Sequence, residues 1–448
     1  MLITKLSNYA AEQMHSGLTQ DVSHAAKRAL VDWFAALFPG TQAQPAFSLM
    51  KAHSHELGVG SASLPGLKTT AFPATAAWIN GSVSHAVEFD DIFREAIYHP
   101  GCPTVASALS VAEHLGASGQ RLLESITVGY EISTRIGAAV QPSHYKFFHT
   151  TGTVGCFGSA AAAAVLLSPA PEVTAHALAT SATFASGLQQ AFRSDAMTKA
   201  LHAGHAAWVG VTAAFGADKG ITGVMDILEG SAGFGAAMAD EPNWSKATDG
   251  LGTRYNIKNI TVKNHGCCGH AFASIDGLLA LKQEHGFTLQ DIDRIEIDTY
   301  AAAVEVAGIK NPQSAFECKF SIPYVVSHAA KYGSVRLSAF DAERIVESDI
   351  RALMPRIHVK PDSDLTSKFP NMRAARVIVH LKTGAVLERM QPFRIGDPES
   401  PLTDEQISDK FLELASPVIH DNQARQLLNQ LWSIDRVSDV RSLSLSKL

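Results

Sequence analysis

Four short segments of this 448-residue chain carry the residue types that move protons and hold anions. The first is His85-Ala-Val-Glu88-Phe-Asp90-Asp91, followed by His99-Pro100-Gly101-Cys102-Pro103. Carboxylates at 88, 90 and 91 and a histidine at a Pro/Gly break suit a helix end facing a cleft, or else a solvated acidic terminus. The second is Tyr145-Lys146-Phe147-Phe148-His149-Thr150-Thr151-Gly152. His149 stands before a glycine-rich helix start, where the positive end of the helix attracts a carboxylate. A core histidine bonded to backbone is the plainer alternative. In the third, Thr198-Lys199-Ala-Leu-His202-Ala-Gly-His205, a lysine sits in an apolar helical stretch. Lysine is rarely buried without a reason. It either snorkels to solvent or faces a polar pocket, with His202 three residues on and on the same face. The fourth is Thr261-Val-Lys263-Asn-His265-Gly-Cys267-Cys268-Gly-His270. Zinc ligands usually come in pairs from two separated arms, and this run has no obvious second arm. A nucleophilic cysteine is also conceivable. A Lys/His pair presented before a helix N-terminus is the more natural device for anions and protons.

Taken together, His99, His149, Lys199, Lys263 and His270 are cationic or basic groups on an otherwise acidic protein: Lys+Arg 37 against Asp+Glu 43, a formal charge of −6. A site for a small di- or tricarboxylate needs such groups. They neutralise the carboxylates, acidify the neighbouring C–H and supply a base tuned near neutrality. The overall charge argues against nonspecific binding to nucleic acid or an anionic membrane. Five cysteines, two of them adjacent, argue for reduced thiols in the cytoplasm rather than a disulfide framework.

The elements that must position these groups change character along the chain. Up to about residue 245 the sequence predicts helices, over 21–40, 72–90, 103–116, 121–140, 153–167, 171–190 and 198–216. Asp21 or Ser23 caps the first and Pro39-Gly40 stops it. Many are alanine-rich and apolar all round, as in a helical bundle. Gly152, Gly155 and Gly158 lack the preceding strand a nucleotide loop needs, so they read as close packing. The run 153–167 is 15 residues, short of the roughly 20 that span a bilayer, and reads as a buried helix. The N-terminal residues have no apolar core of a secretory signal. After residue 250, segments 294–306, 356–362 and 375–390 alternate like strands, the last a hairpin around Lys382-Thr383-Gly384. Helices are expected at 270–285 and 323–331. A capping box, Thr403 to Gln406, then reopens helix to about 432. The expected fold is mainly α: an all-helical domain built from both chain ends (1–262 and 396–448) with an inserted α+β lid domain (263–395).

These residues and their order resemble the MmgE/PrpD family. The resemblance is carried by KRALVDWFAALFPG, AAWINGSVSHAVEFDD, HPG, FHTTGTVGCFGSAAAAA, MTKALHAGHAA, KNHGCCGHAFASID, ECKFSIPYVV and GDPESPLTDEQISDKF. It implies a helical domain with a smaller α+β lid, a homodimer, and an active site in the cleft between domains. Carried over by motif, it implies a pocket that includes Glu88 and Tyr324; these, with Asp91 and His202 from the segments above, are expected to bind substrate. It makes His99, His149, Lys199, Lys263 and His270 catalytic. Glu88 stands where the family's decarboxylase has Asp, and Ile92 where it has Thr.

The expected activity is that of a lyase, a dehydratase or decarboxylase, without cofactor or metal. Lysines and protonated histidines hold the substrate carboxylates, and His149 or His99 moves the proton. The alternatives are an epimerase of an aminodicarboxylate such as iminodisuccinate, a noncatalytic carboxylate-binding homologue, and a metal hydrolase using His265, Cys267, Cys268 and His270.

Overall fold

In the computed structural model, residues 1–192 and 196–448 are described, residue 192 by its main chain only. The fold is mainly α with small sheets. The chain divides into two compact units, Met1–Thr261 with Thr403–Leu448, and Val262–Leu402.

The first unit is a helical bundle whose centre is the helix Gly155–Leu167. Its Ala160–Ala164 run is fully buried, and the helices Gly101–Leu115, Gly119–Val140, Pro171–Phe184 and Thr198–Asp218 pack around it. Alanine makes this possible: without bulk on any face, a helix can accept close neighbours all round. Helical structure begins earlier than the sequence suggests, at Thr150, so the apolar stretch Thr150–Leu167 reaches 18 residues; it is 89% buried within the protein. The helix Gln20–Thr41 runs through Pro39-Gly40 to Thr41, beginning after Thr19 rather than at Asp21 or Ser23. A proline in the last turn removes one bond from a ladder that is ending anyway.

Two C-terminal helices, Asp404–Ile419 and Asp421–Trp432, return to pack on Gln20–Thr41. The first opens with the expected capping box: Thr403 and Gln406 exchange side-chain and backbone bonds. The Lys410 ammonium, buried, lies 2.6 Å from Asp32 Oδ1 and donates to the Phe89 carbonyl at 2.9 Å. It thereby ties the chain's end to the segment that follows the helix Pro73–His85.

That helix is shorter than the predicted 72–90. It stops at His85 because the next residues turn back: His85 bonds Asp90, and Glu88 takes a left-handed φ of 62°. Non-glycine residues rarely adopt that conformation unless their surroundings demand it.

The second unit holds a four-stranded sheet in the order Ile357–Pro361, Ile292–Thr299, Ala375–Leu381, Val386–Gln391. The first pair is parallel and the others antiparallel. Ile295, Ile297, Val377 and Val379 pack against the helices Phe272–His285 and Ile322–Tyr332. Gly384 (φ 88°) supplies the turn of the predicted hairpin. The strand expected over 294–306 ends at Thr299, and Ala301–Ala307 is helical instead. Its alanines outweigh the alternating pattern there, since alanine is the strongest helix former and a poor strand former.

Candidate active site

The first unit gathers residues from three separated segments. His85 ends one helix, and the loop after it carries Glu88, Asp90 and Asp91. His99 precedes the helix Gly101–Leu115. His149 precedes Thr150–Thr153, while Lys199 and His202 lie in the first turns of Thr198–Asp218.

Asp90 is the hub. Its Oδ2 accepts from His85 Nδ1 at 2.7 Å and lies 3.0 Å from His99 Nδ1 and 3.3 Å from Cys102 Sγ. The His85 side chain and Asp90 are essentially buried, while 16% of the His99 side chain remains exposed. The His85 ring lies 5.0 Å from that of His99 and stacks on His149 at 5.6 Å and 23°. His149 continues the row, its Nδ1 2.9 Å from His202 Nδ1. Four imidazoles thus run in sequence, His99, His85, His149, His202, with a carboxylate between the first two.

Beside this row the Lys199 ammonium pairs with Glu88 Oε1; the side chains are 17% and 15% exposed. The left-handed turn at Glu88 directs the carboxylate there. Asp91 serves a different purpose. Its Oδ1 accepts from the Gly101 N–H at 2.9 Å and its Oδ2 from the Tyr130 hydroxyl at 2.8 Å, fixing the turn that carries His99. A Cβ at Gly101 would lie 2.8 Å from the Tyr130 hydroxyl and 2.9 Å from Asp91 Oδ1, so glycine is needed. Burial, with the Asp32 charge, pushes the Asp91 carboxyl up to about 7.

Protonation differs from the expected cationic imidazoles. Burial, then the charges of His85 and Lys199, hold His149 well below the ordinary histidine value. Burial also lowers His202 to about 4. Both rings are therefore neutral at pH 7, as bases and hydrogen-bonding groups, with the Lys199–Glu88 pair beside them. Desolvation disfavours the charged form of an imidazole, and nearby positive charge adds to that.

The second unit holds the other predicted residues. Lys263 is buried. His270 shares a 2.7 Å hydrogen bond with the Tyr300 hydroxyl and is lowered to about 3, first by burial and then by Arg373 and Arg394. It too is neutral rather than cationic. Tyr324 is fully buried in the unit's core, its hydroxyl donating to the Ala339 carbonyl. His265 bonds Asp276 at 2.8 Å. All five cysteines are free and buried, and burial pushes the Cys267 thiol far above its ordinary value, the opposite of an activated nucleophile.

Among the described residues, the one group that could share a metal ion is not the 265–270 run but His85, Asp90 and His99, whose ligand atoms lie within 4.8 Å of one another. The 2.7 Å approach of His85 is equally that of an imidazole N–H directed at an acceptor, and the 3.0 Å approach of His99 is a close charge pairing. His85 and Asp90 stand in the first segment singled out by residue type, but neither was assigned a role in the site. The signal available in the sequence was their spacing: a histidine at a helix end and a carboxylate five residues on close a tight loop.

The sequence comparisons agree with this architecture. Residues 4–247 match the MmgE/PrpD N-terminal domain and residues 265–434 the MmgE/PrpD C-terminal domain. The chain belongs to the MmgE/PrpD family of enzymes. A cis-aconitate decarboxylase-like protein, oryM, of Aspergillus oryzae is 26% identical, over 98% of this chain and 95% of its own length. Human cis-aconitate decarboxylase is 26% identical over 99% of this chain and 95% of its own. An alkylcitrate dehydratase, phiI, of a fungal species is 26% identical over a shorter stretch, 35% of this chain and 33% of its own.

Proposed function

We propose that this protein is a lyase, a dehydratase or decarboxylase acting on a small di- or tricarboxylate without a cofactor. The observation that carries the reading is the row of buried and half-buried imidazoles beside Lys199. A neutral His149 is a base, and Lys199 is a cation that a substrate carboxylate can take over from Glu88. Removal of a proton next to a carboxylate builds negative charge on that carboxylate, and a fixed ammonium stabilises it. His149 moves the proton, and His99, oriented by Asp90, is the second acid–base group. In the second unit, Lys263 and His270 are the candidate catalytic groups that the family motifs imply. The names of the relatives, cis-aconitate decarboxylase and alkylcitrate dehydratase, support a carboxylate substrate of this kind. Five free, buried thiols suit a reducing cytoplasm. Exposed Phe147, Phe184, Leu188 and Met197 suit a homodimer.

The test is a panel of cis-aconitate, citrate-like and aminodicarboxylate compounds incubated with the protein in deuterium oxide and followed by NMR. Water elimination or CO2 release marks the lyase; α-deuteration with inversion alone marks an epimerase. For the compound turned over, His149→Gln and Lys199→Ala are expected to lower kcat/KM by about 10²-fold or more, the ordinary contribution of acid–base and electrostatic groups. If both variants stay within about threefold of the parent, these roles are wrong.

A further inference from the structure

The contact between His149 and His202 is unusual in kind. Two nitrogens of the same type, Nδ1 and Nδ1, face each other at 2.9 Å. Two N–H groups would collide there and two lone pairs would repel, so the pair holds one proton between them. The tautomers are consequently linked. When His149 carries its proton on Nδ1, its Nε2 is a lone pair and His202 carries its proton on Nε2. Moving the shared proton across reverses both rings at once.

The surroundings are built for this contact. The His149 backbone N–H is held by the Gly187 carbonyl at 2.8 Å. A Cβ at Gly152 would sit 2.6 Å from the Ser186 carbonyl oxygen and 3.1 Å from the His202 Cβ, so only glycine lets the two segments close. Gly187, at φ 145°, brings its backbone against the His202 ring. His149 is 2% exposed, whereas His202 is only partly buried and lies one helical turn from His205, whose ring reaches the Ser186 hydroxyl at 3.0 Å near the surface. The row therefore leads from a buried ring outward.

We propose that His202 is a proton relay for His149, coupling the buried base to solvent. This rests on the reading that His149 moves the substrate proton. In an elimination, His149 Nε2 takes the proton from carbon while its Nδ1 proton passes to His202 Nδ1 and the His202 Nε2 proton leaves to water. The C–H electron pair becomes the new C=C bond and the C–O bond breaks. His149, now protonated on Nε2, gives that proton to the departing hydroxide to make water. It recovers its Nδ1 proton from His202, which takes one from solvent at Nε2. Both rings end as they began, and protons balance. A decarboxylation uses the second stroke: the C–C electron pair stays on carbon, carbon takes the Nε2 proton, and His202 draws its replacement from water. One solvent proton is then consumed per CO2, and the tautomers reset by exchange with water. His202 acts through His149 and is not itself placed against the substrate.

Two measurements test this. In ¹⁵N-histidine NMR of the full-length protein, the wild type is expected to show one Nδ1 donor and one Nδ1 acceptor joined by a single downfield proton, lost in both His149→Gln and His202→Asn. Two protonated Nδ1 atoms, or no shared proton, overturn the proposal. With cis-aconitate and citrate as probes of turnover and deuterium exchange, His202→Asn and His202→Ala are expected to lose about tenfold or more in kcat with KM little changed. Added imidazole is expected to restore His202→Ala in a concentration-dependent way, because a diffusible base replaces a relay but not a structural prop. A rise in KM with kcat intact, or loss without rescue, overturns it. His149→Gln measured alone separates the two levels: if that variant keeps full activity, the role of His149 has failed; if it is inactive and the His202 variants are not, only the relay has.

Discussion

Replacing Asp90 by asparagine tests the architecture of the imidazole row most directly. One oxygen of Asp90 receives His85 at 2.7 Å and stands 3.0 Å from His99. The carboxylate bonds His85 Nδ1 and stands close beside the His99 ring. Asparagine offers one carbonyl oxygen that His85 can keep, or an amide N–H2 that cannot accept, and in either case the carboxylate beside the His99 ring is gone. A hydrogen bond to a charged group is worth about 1.5–3 kcal/mol, and leaving a buried donor unmatched costs about as much. If that energy is realised in the transition state, kcat falls by about ten- to a hundredfold. The assay is turnover of the compound identified by the deuterium panel, with pH profiles of kcat for Asp90→Asn, His99→Gln and the double variant. The expected result is that the double variant is no slower than His99→Gln, because Asp90 works through that ring, and that the limb of the profile belonging to His99 shifts in Asp90→Asn. Elemental analysis of the same preparations separates an acceptor from a ligand: a metal present at one equivalent and lost in Asp90→Asn would assign the carboxylate to a cation instead. Wild-type kcat and an unchanged pH profile in Asp90→Asn, beside an inactive His99→Gln, would refute the reasoning.

Further outcomes follow from burial. The Asp91 carboxyl is raised to about 7, above the roughly 3.9 of an unfolded aspartate, so the folded protein binds the extra proton between those values. Stability is greatest below about pH 4 with respect to this group and falls as pH rises toward 7, by up to about 4 kcal/mol, after which it stays level. Glu113, raised to about 7 by burial, contributes with the same sign. Asp91→Asn can still accept from Gly101 and donate to Tyr130, so the drop in melting temperature between pH 5 and pH 8 should shrink in that variant; an unchanged drop would show that Asp91 titrates normally. Lys410→Met leaves Asp32 buried beside an apolar chain and should destabilise by about 3–5 kcal/mol in urea unfolding. A loss below about 1 kcal/mol would mean that the C-terminal helices are held by packing alone.

Much of the architecture is local and could therefore be read from residue order. The alanine-rich helices, the Thr403–Gln406 capping box and the hairpin at Gly384 each depend on residues within a few positions of one another. Period and cap are short-range properties, and a single chain displays them. The same holds for the presence of His99, His149 and Lys199 in motifs whose chemistry suits a carboxylate. What failed was local too, but contested: 294–306 alternates like a strand while its alanines favour helix, and the helix from Pro73 ends early because a side chain at 85 bonds one at 90. The protonation states and partners belong to the tertiary structure alone. Neutral rings at His149, His202 and His270 arise from desolvation by segments far apart in sequence. The pairing of position 88 with 199, and of 149 with 202, arises from helix packing that brings those segments together. A residue's type sets which proton it can carry; only the packed fold sets the dielectric and the neighbour that decide whether it carries one at pH 7.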